Sequence, residues 1–107
     1  MKHVCIPEDV IIACQDLGKS SLEVYVGLER TRMTVLGDSE QKRYRWFTAT
    51  HHMISQRTSC GVRTIQRCLS MMEEVELVEI ERASVRERGG TIKNEPNSYR
   101  LKESRNI

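Results

Sequence analysis

The chain has 107 residues, of which 30% are charged, and a formal net charge of +2. This length favours one domain with a single core, which we take to span residues 1–107. No apolar run reaches the roughly eighteen residues of a membrane span, and the N-terminus lacks the long apolar segment of a secretory signal, so we expect a cytoplasmic protein with no membrane partner.

The four cysteines, Cys5, Cys14, Cys60 and Cys68, are too widely spaced for a zinc knuckle or a redox motif. We therefore expect reduced thiols and no bound metal. The sequence also lacks a glycine-rich phosphate loop, HExxH and GxSxG. These absences predict that the chain is not an enzyme and has no cofactor and no small-molecule substrate.

Charge is distributed unevenly along the chain. Residues 1–40 are acidic on balance, residues 41–72 contain no Asp or Glu, and five glutamates follow between 73 and 81. The C-terminal stretch is basic again. Two basic segments separated by an acidic one indicate a one-sided positive face rather than a uniformly basic protein. The basic residues of the acid-free window are Lys42, Arg43, Arg45, Arg57, Arg63 and Arg67.

Two helices are predicted at the start of the chain. The first, over residues 7–17, has Pro7 in its first turn and Gly18 as its stop, and forms an N-terminal helical extension over residues 1–17. The second, over 20–32, begins with a possible capping box of Ser20 and Glu23. Gly27 lowers its helix propensity and permits close packing. The expected core residues are Leu22, Tyr25, Val26 and Leu28, with Glu29, Arg30 and Arg32 outside.

A short strand and a short helix come next. The aromatic cluster at residues 44–47 predicts the strand, with one of Trp46 and Phe47 in the core and the other partly exposed. Residues 50–58 are typical of a short helix capped by Thr48 or Thr50. Residues 59–61 then predict a tight turn.

Residues 62–75 form the clearest amphipathic helix. Apolar residues recur at steps of three and four, while the opposite side is polar. After it, residues 77–102 predict a strand–loop–strand hairpin with a turn at Gly89-Gly90. The apolar positions are Val62, Ile65, Leu69 and Met72, and the polar ones are Arg63, Gln66, Arg67 and Ser70.

This order of elements predicts an α+β, mainly α fold: a winged helix-turn-helix with a three-helix core, the helix-turn-helix over 50–75 and a C-terminal β-hairpin wing over 77–102. The second helix of a helix-turn-helix, here residues 62–75, enters the major groove of double-stranded DNA. There Arg binds guanine and Gln binds adenine. Wing arginines lie along phosphates or in the minor groove. The candidate DNA-binding residues are Arg63, Gln66, Arg67, Thr64, Arg57, Arg86, Arg88, Lys93 and Arg45.

The segment MISQRTSCGVRTIQRCLSMMEEVELVEIER resembles the winged helix-turn-helix of plasmid and phage replication initiators and related regulators. SYRL at 98–101 is similar to the return strand of that family's wing, and LGKSSLEVYVGL at 17–28 to its first long helix. The resemblance implies DNA binding by the helix that begins near Gly61. The chain departs from the family at Gly61, where Ser or Thr is common, and at Glu76, where a Gly commonly ends the recognition helix.

Other functions remain open at this stage. The motif is shared by transcription regulators, so a small regulator is one alternative. Cys60, at a helix N-terminus beside arginines, would sense oxidants if its pKa were lowered. The glutamates at 73–81 and the apolar segment 4–14 instead suggest a protein–protein interaction module. Binding to a palindromic site would require a homodimer.

Overall fold

The computed structural model describes residues 6–37, 40–82 and 97–102. They form a mainly helical α+β structure with a small antiparallel sheet, which confirms the predicted class. None of the helices in these ranges combines the length and the hydrophobicity needed to cross a membrane. The elements are α1 (Glu8–Leu17), α2 (Lys19–Leu36), a 3-10 turn (Glu40–Lys42), β1 (Phe47–Ala49), α3 (His51–Ser55), α4 (Val62–Glu74), β2 (Val78–Glu81) and β3 (Asn97–Leu101).

Gly18 separates the first two helices. Its φ of 128° lies in the region that favours glycine, which confirms the predicted stop. Helix α2 begins at the next residue with Gly18 as its N-cap and no capping side chain. The predicted capping box of Ser20 and Glu23 is therefore wrong.

Helix α2 continues to Leu36, four residues beyond the predicted end at Arg32. The hydroxyls of Thr31 and Thr34 donate to the carbonyls four residues earlier, at 2.7 and 2.9 Å, so both hydroxyls find acceptors within the helix. Gly37, with φ 95°, terminates the helix, and its N–H donates to the Met33 carbonyl at 2.9 Å.

A buried ion pair on α2 corrects the prediction that Glu29 and Arg32 face solvent. Both residues are 3% exposed, and Arg32 donates to one carboxylate oxygen of Glu29 from Nε at 2.8 Å and from Nη2 at 2.5 Å. The other oxygen lies 3.7 Å from Nε of Arg43. Helix α2 is packed against α1, α3, α4 and β1, so little of its surface faces outward.

The sheet has the order β1-β3-β2, with both pairings antiparallel. Strand β1 is Phe47–Ala49, later than the predicted 44–47, because Phe47 pairs with Tyr99 and Ala49 with Asn97. Phe47 is buried and Trp46 is exposed, which confirms that only one of the two anchors the core. The indole of Trp46 instead lies 5.0 Å from the guanidinium carbon of Arg100.

Helix α4 ends in a Schellman motif. The N–H of Glu76 donates to the Glu73 carbonyl at 3.1 Å, and that of Leu77 to the Met72 carbonyl at 2.8 Å. Glu76 has φ 64°, the left-handed conformation usually left to glycine. Glu76 thus adopts the backbone geometry that a glycine usually supplies at the end of a helix.

One hydrophobic core joins the helices to the sheet. Leu22 and Val26, expected in it, are only partly buried, whereas Val24 is fully buried. The core orients α4, which packs against α1, α2, α3 and β2. The largest fully buried side chains of the core are Tyr25, Leu28, Ile54, Ile65, Leu69, Met72, Tyr99 and Leu101.

Candidate nucleic-acid interface

Helix α4 has one buried face and one exposed face, as its periodicity predicts, but Val62, which was expected in the buried row, is 38% exposed. Arg63, Gln66, Arg67 and Ser70 are exposed and lie half a turn away from the core-facing residues. Neither arginine forms an ion pair with any residue that the structure describes. Two full positive charges are therefore available at this surface. The buried residues are Ile65, Cys68, Leu69 and Met72.

The turn between α3 and α4 is held by its own side chains. The hydroxyl of Ser55 donates to the Cys60 carbonyl at 2.8 Å. The hydroxyl of Thr58 donates to the Ser55 carbonyl at 3.2 Å and accepts from the Cys60 N–H at 3.1 Å. These local bonds satisfy backbone groups that a tight turn removes from helical pairing. They fix the angle at which α4 leaves α3.

Glu23 of α2 ties this turn to the first helices. Its Oε2 accepts hydrogen bonds from both the N–H and the hydroxyl of Ser59, each at 2.5 Å. These bonds lower the pKa of Glu23, first through the side chain of Ser59 and then through its backbone. The carboxylate of Glu23 therefore lies beside the acid-free segment, residues 41–72, in the folded protein. Local sequence patterns do not predict this contact, because its partners are 36 positions apart in the chain.

Helix α4 has no acidic residue in its first turn, and its N-cap residue, Gly61, makes no side-chain hydrogen bond to the first N–H groups. The first N–H groups of an α-helix lack intrahelical acceptors and bear a partial positive charge. A Ser or Thr at this position would supply an acceptor, which Gly61 lacks. This end of the helix therefore suits an approaching anion.

Three other candidates lie at or near the helix pair. Thr64 is partly exposed on α4. Arg57 is half-buried, and its Nη1 donates to the Met53 carbonyl at 3.0 Å, so part of its guanidinium is used within α3. Arg45 is exposed and lies just before β1. In the pairing of β1 with β3, Ala49 lies opposite Asn97, whereas Phe47 lies opposite Tyr99, two residues further along β3. The structure thus places Arg45 toward the opposite end of the sheet from Asn97.

The basic residues predicted for the wing lie outside the described residues. Strands β2 and β3 pair antiparallel, with Val78 opposite Leu101 and Glu81 opposite Ser98. Arg86, Arg88 and Lys93 belong to the segment 83–96 that connects these strands.

A cleft of about 230 Å³ lies beside the exposed face of α4, between that helix, the start of α3 and the hairpin. Gln66 reaches into it, with Nε2 at 3.3 Å from Nδ1 of His51. Arg82 also lines it and donates two hydrogen bonds to Glu73, at 3.0 and 3.1 Å. Burial, together with the positive charge of Arg82, lowers the pKa of His51. The lining residues are His51, Gln66, Leu69, Ser70, Ile80, Arg82 and Asn97.

The environment of Cys60 corrects the expectation of a reactive thiolate. Burial and the nearby carboxylate of Glu23 raise the pKa of this thiol, and hydrogen bonds with Thr58 and Ser20 offset the rise only in part. A raised pKa lowers the thiolate fraction at neutral pH and slows oxidation. A lowering by arginines and a helix N-terminus is not found, because burial is the largest influence on this thiol and the nearby charge is the carboxylate of Glu23.

The described residues contain no group of three or more His, Cys, Asp or Glu side chains placed to hold a metal ion. Comparisons of the chain with family models, with curated proteins and with solved structures found no match.

Proposed function

We propose that the chain is a winged helix-turn-helix domain that binds double-stranded DNA by placing α4 in the major groove. The observation that carries this proposal is the exposed face of α4, where Arg63, Gln66 and Arg67 stand opposite a fully buried face. An α-helix has a diameter of about 10–12 Å with its side chains, which matches a major groove about 12 Å wide.

The order of elements supports the same proposal. A helix, a strand, two helices joined by a tight turn, and an antiparallel strand pair follow one another, and β1 completes the sheet on β3. This is the arrangement expected of a winged helix, and the likeness is an analogy of fold. Helix α3 packs against α4, as the supporting helix of such a motif does.

The distribution of charge along α4 also favours entry of its N-terminal half into the major groove. Arg63 and Arg67 lie in that half, whereas Glu73 and Glu74 lie in the last turn. The uncapped first turn adds the partial positive charge of the helix dipole. A polyanion would thus meet attraction at the first turns and repulsion at the last, which fits recognition helices that use their N-terminal residues.

Titration of a labelled mixed-sequence duplex at several salt concentrations tests this function. Neutralisation of about six phosphates predicts a steep, linear fall of log affinity with log salt. Failure to bind at low salt would refute the proposal.

For the biological role, we propose a replication-initiator type of domain, on the resemblance of residues 53–82. The alternative is a small transcription regulator. Selection of bound sites from random duplex DNA distinguishes modes of binding, because a palindromic site indicates two subunits and an asymmetric one indicates a single subunit.

A further inference from the structure

The cleft beside α4 offers hydrogen-bond donors and no carboxylate. Arg82 has a fixed fork of N–H donors, two of which bind Glu73, and Ser70 adds a hydroxyl donor. The amide groups of Gln66 and Asn97 also line the cleft, where that of Gln66 lies 3.3 Å from Nδ1 of His51 and that of Asn97 donates to the Tyr99 hydroxyl at 3.4 Å. Leu69 and Ile80 form its apolar part. The carboxylate that pairs with Arg82, that of Glu73, is not among the residues that line the cleft. A lining with these donors and no carboxylate suits a small anion.

Its position links it to the surface proposed to bind DNA. Gln66 and Ser70 belong both to the exposed face of α4 and to the lining of the cleft. A duplex that receives α4 in its major groove has a phosphate backbone on each side of that helix, one of them toward the hairpin. We propose that the cleft binds one phosphate of this backbone and that Arg82 exchanges Glu73 for it. This inference rests on the proposed function.

The pairing of Arg82 with Glu73 permits such an exchange. The side chains are 54% and 35% exposed, and ion pairs of this kind contribute little to stability because water screens them. A guanidinium binds phosphate through the same two parallel N–H groups that now bind the carboxylate. The cleft volume of about 230 Å³ accommodates a phosphate group with bridging water.

The chain supplies a matched control on the outer face of the sheet. Arg100 forms an ion pair with Glu79, and the two side chains are 38% and 33% exposed. Tyr99 and Leu101, on either side of Arg100, are buried, so Arg100 points away from the core. Removal of Arg100 or Glu79 changes the net charge as removal of Arg82 or Glu73 does, without altering the cleft.

The test measures fluorescence anisotropy of a labelled mixed-sequence duplex over a series of NaCl concentrations. Arg82→Gln should weaken binding roughly three- to tenfold at low salt and reduce the salt slope by about 1. Arg100→Gln should leave both close to wild type. Circular dichroism confirms that each variant folds.

Glu73→Gln makes the test sharper, because it frees Arg82. Glu73→Gln should strengthen duplex binding in the wild-type background and have no further effect in the Arg82→Gln background. Glu79→Gln should change the affinity by the same factor in both backgrounds. An unchanged salt slope in Arg82→Gln, or an equal gain from Glu73→Gln with and without Arg82, would overturn the phosphate site while leaving the proposed function intact. A wild-type chain that does not bind the duplex would overturn both.

Discussion

The methyl group of Thr58 lies 2.3 Å from the position that a β carbon on Gly27 would occupy. The carbonyl oxygens of Arg57 and Ile54 are 3.6 Å from the same point. The segment that follows α3 therefore rests directly on the backbone of α2. This contact confirms the interpretation that Gly27 permits close packing.

We expect Gly27→Ala to destabilise the protein, although alanine is the better helix former by about 1 kcal/mol. The hydroxyl of Thr58 is held by Ser55 and Cys60, so its methyl group has little freedom to move. Overpacking of this kind costs about 1–3 kcal/mol. Urea unfolding measures the loss. In a Thr58→Ser background, which lacks the methyl group, the cost should shrink; an equal cost in both backgrounds would contradict this account.

Glu76→Gly should stabilise the fold. Glu76 holds a φ of 64° at the end of α4, and relief of that strain is worth about 1 kcal/mol after the greater chain entropy of glycine is counted. The measurement is the urea midpoint at constant m-value. Glu74→Gly, within α4, is the control and should be destabilising. A loss of stability in Glu76→Gly would show that the left-handed geometry is not strained.

Glu29→Gln should be strongly destabilising. It leaves the buried guanidinium of Arg32 without its charged partner, and breaking a buried pair in this way costs about 3 kcal/mol. Because burial shields the pair from ions, the loss should persist at high salt. Glu79→Gln, which breaks the partly exposed pairs with Arg100 and Lys102, should have a much smaller effect. A small, salt-sensitive loss in Glu29→Gln would indicate that this pair is solvated.

The stability of the protein should depend on the titration of His51. Its pKa is lowered from the ordinary 6.5 by burial and then by Arg82, so the folded state binds a proton less readily than the unfolded state. The stabilising contribution of the neutral ring is present above the unfolded pKa and is lost as pH falls through the folded one. His51→Gln should therefore lose less stability than wild type between about pH 7.5 and about pH 5. Parallel urea-midpoint profiles would refute this assignment.

Periodicity within the chain predicts much of the candidate site. Ile65, Leu69 and Met72 recur at helical steps, which fixes α4 and the outward position of Arg63 and Arg67. The end of α1 at Gly18 is also predictable, because the backbone freedom of glycine is a property of that residue alone. Such features depend on neighbours within a few residues, so a single sequence contains them.

Features that depend on distant partners were not predictable in this way. Local patterns suggest a helix cap for Glu23, which instead binds Ser59, and a solvent-facing position for Glu29, which is buried because four elements pack against α2. The start of β1 is set by pairing with β3, far along the chain. The cleft at Arg82 likewise requires the approach of α3, α4 and the hairpin.

Binding of DNA by the exposed face of α4 can be tested by measuring the anisotropy of a labelled duplex with two double variants. Arg63→Ala/Arg67→Ala removes two charges from α4, while Lys19→Ala/Arg100→Ala removes two from other elements. We predict that the first reduces affinity by a factor of ten or more at low salt, at roughly 1 kcal/mol for each lost contact, and that the second stays close to wild type. Equal losses in the two variants would contradict the claim.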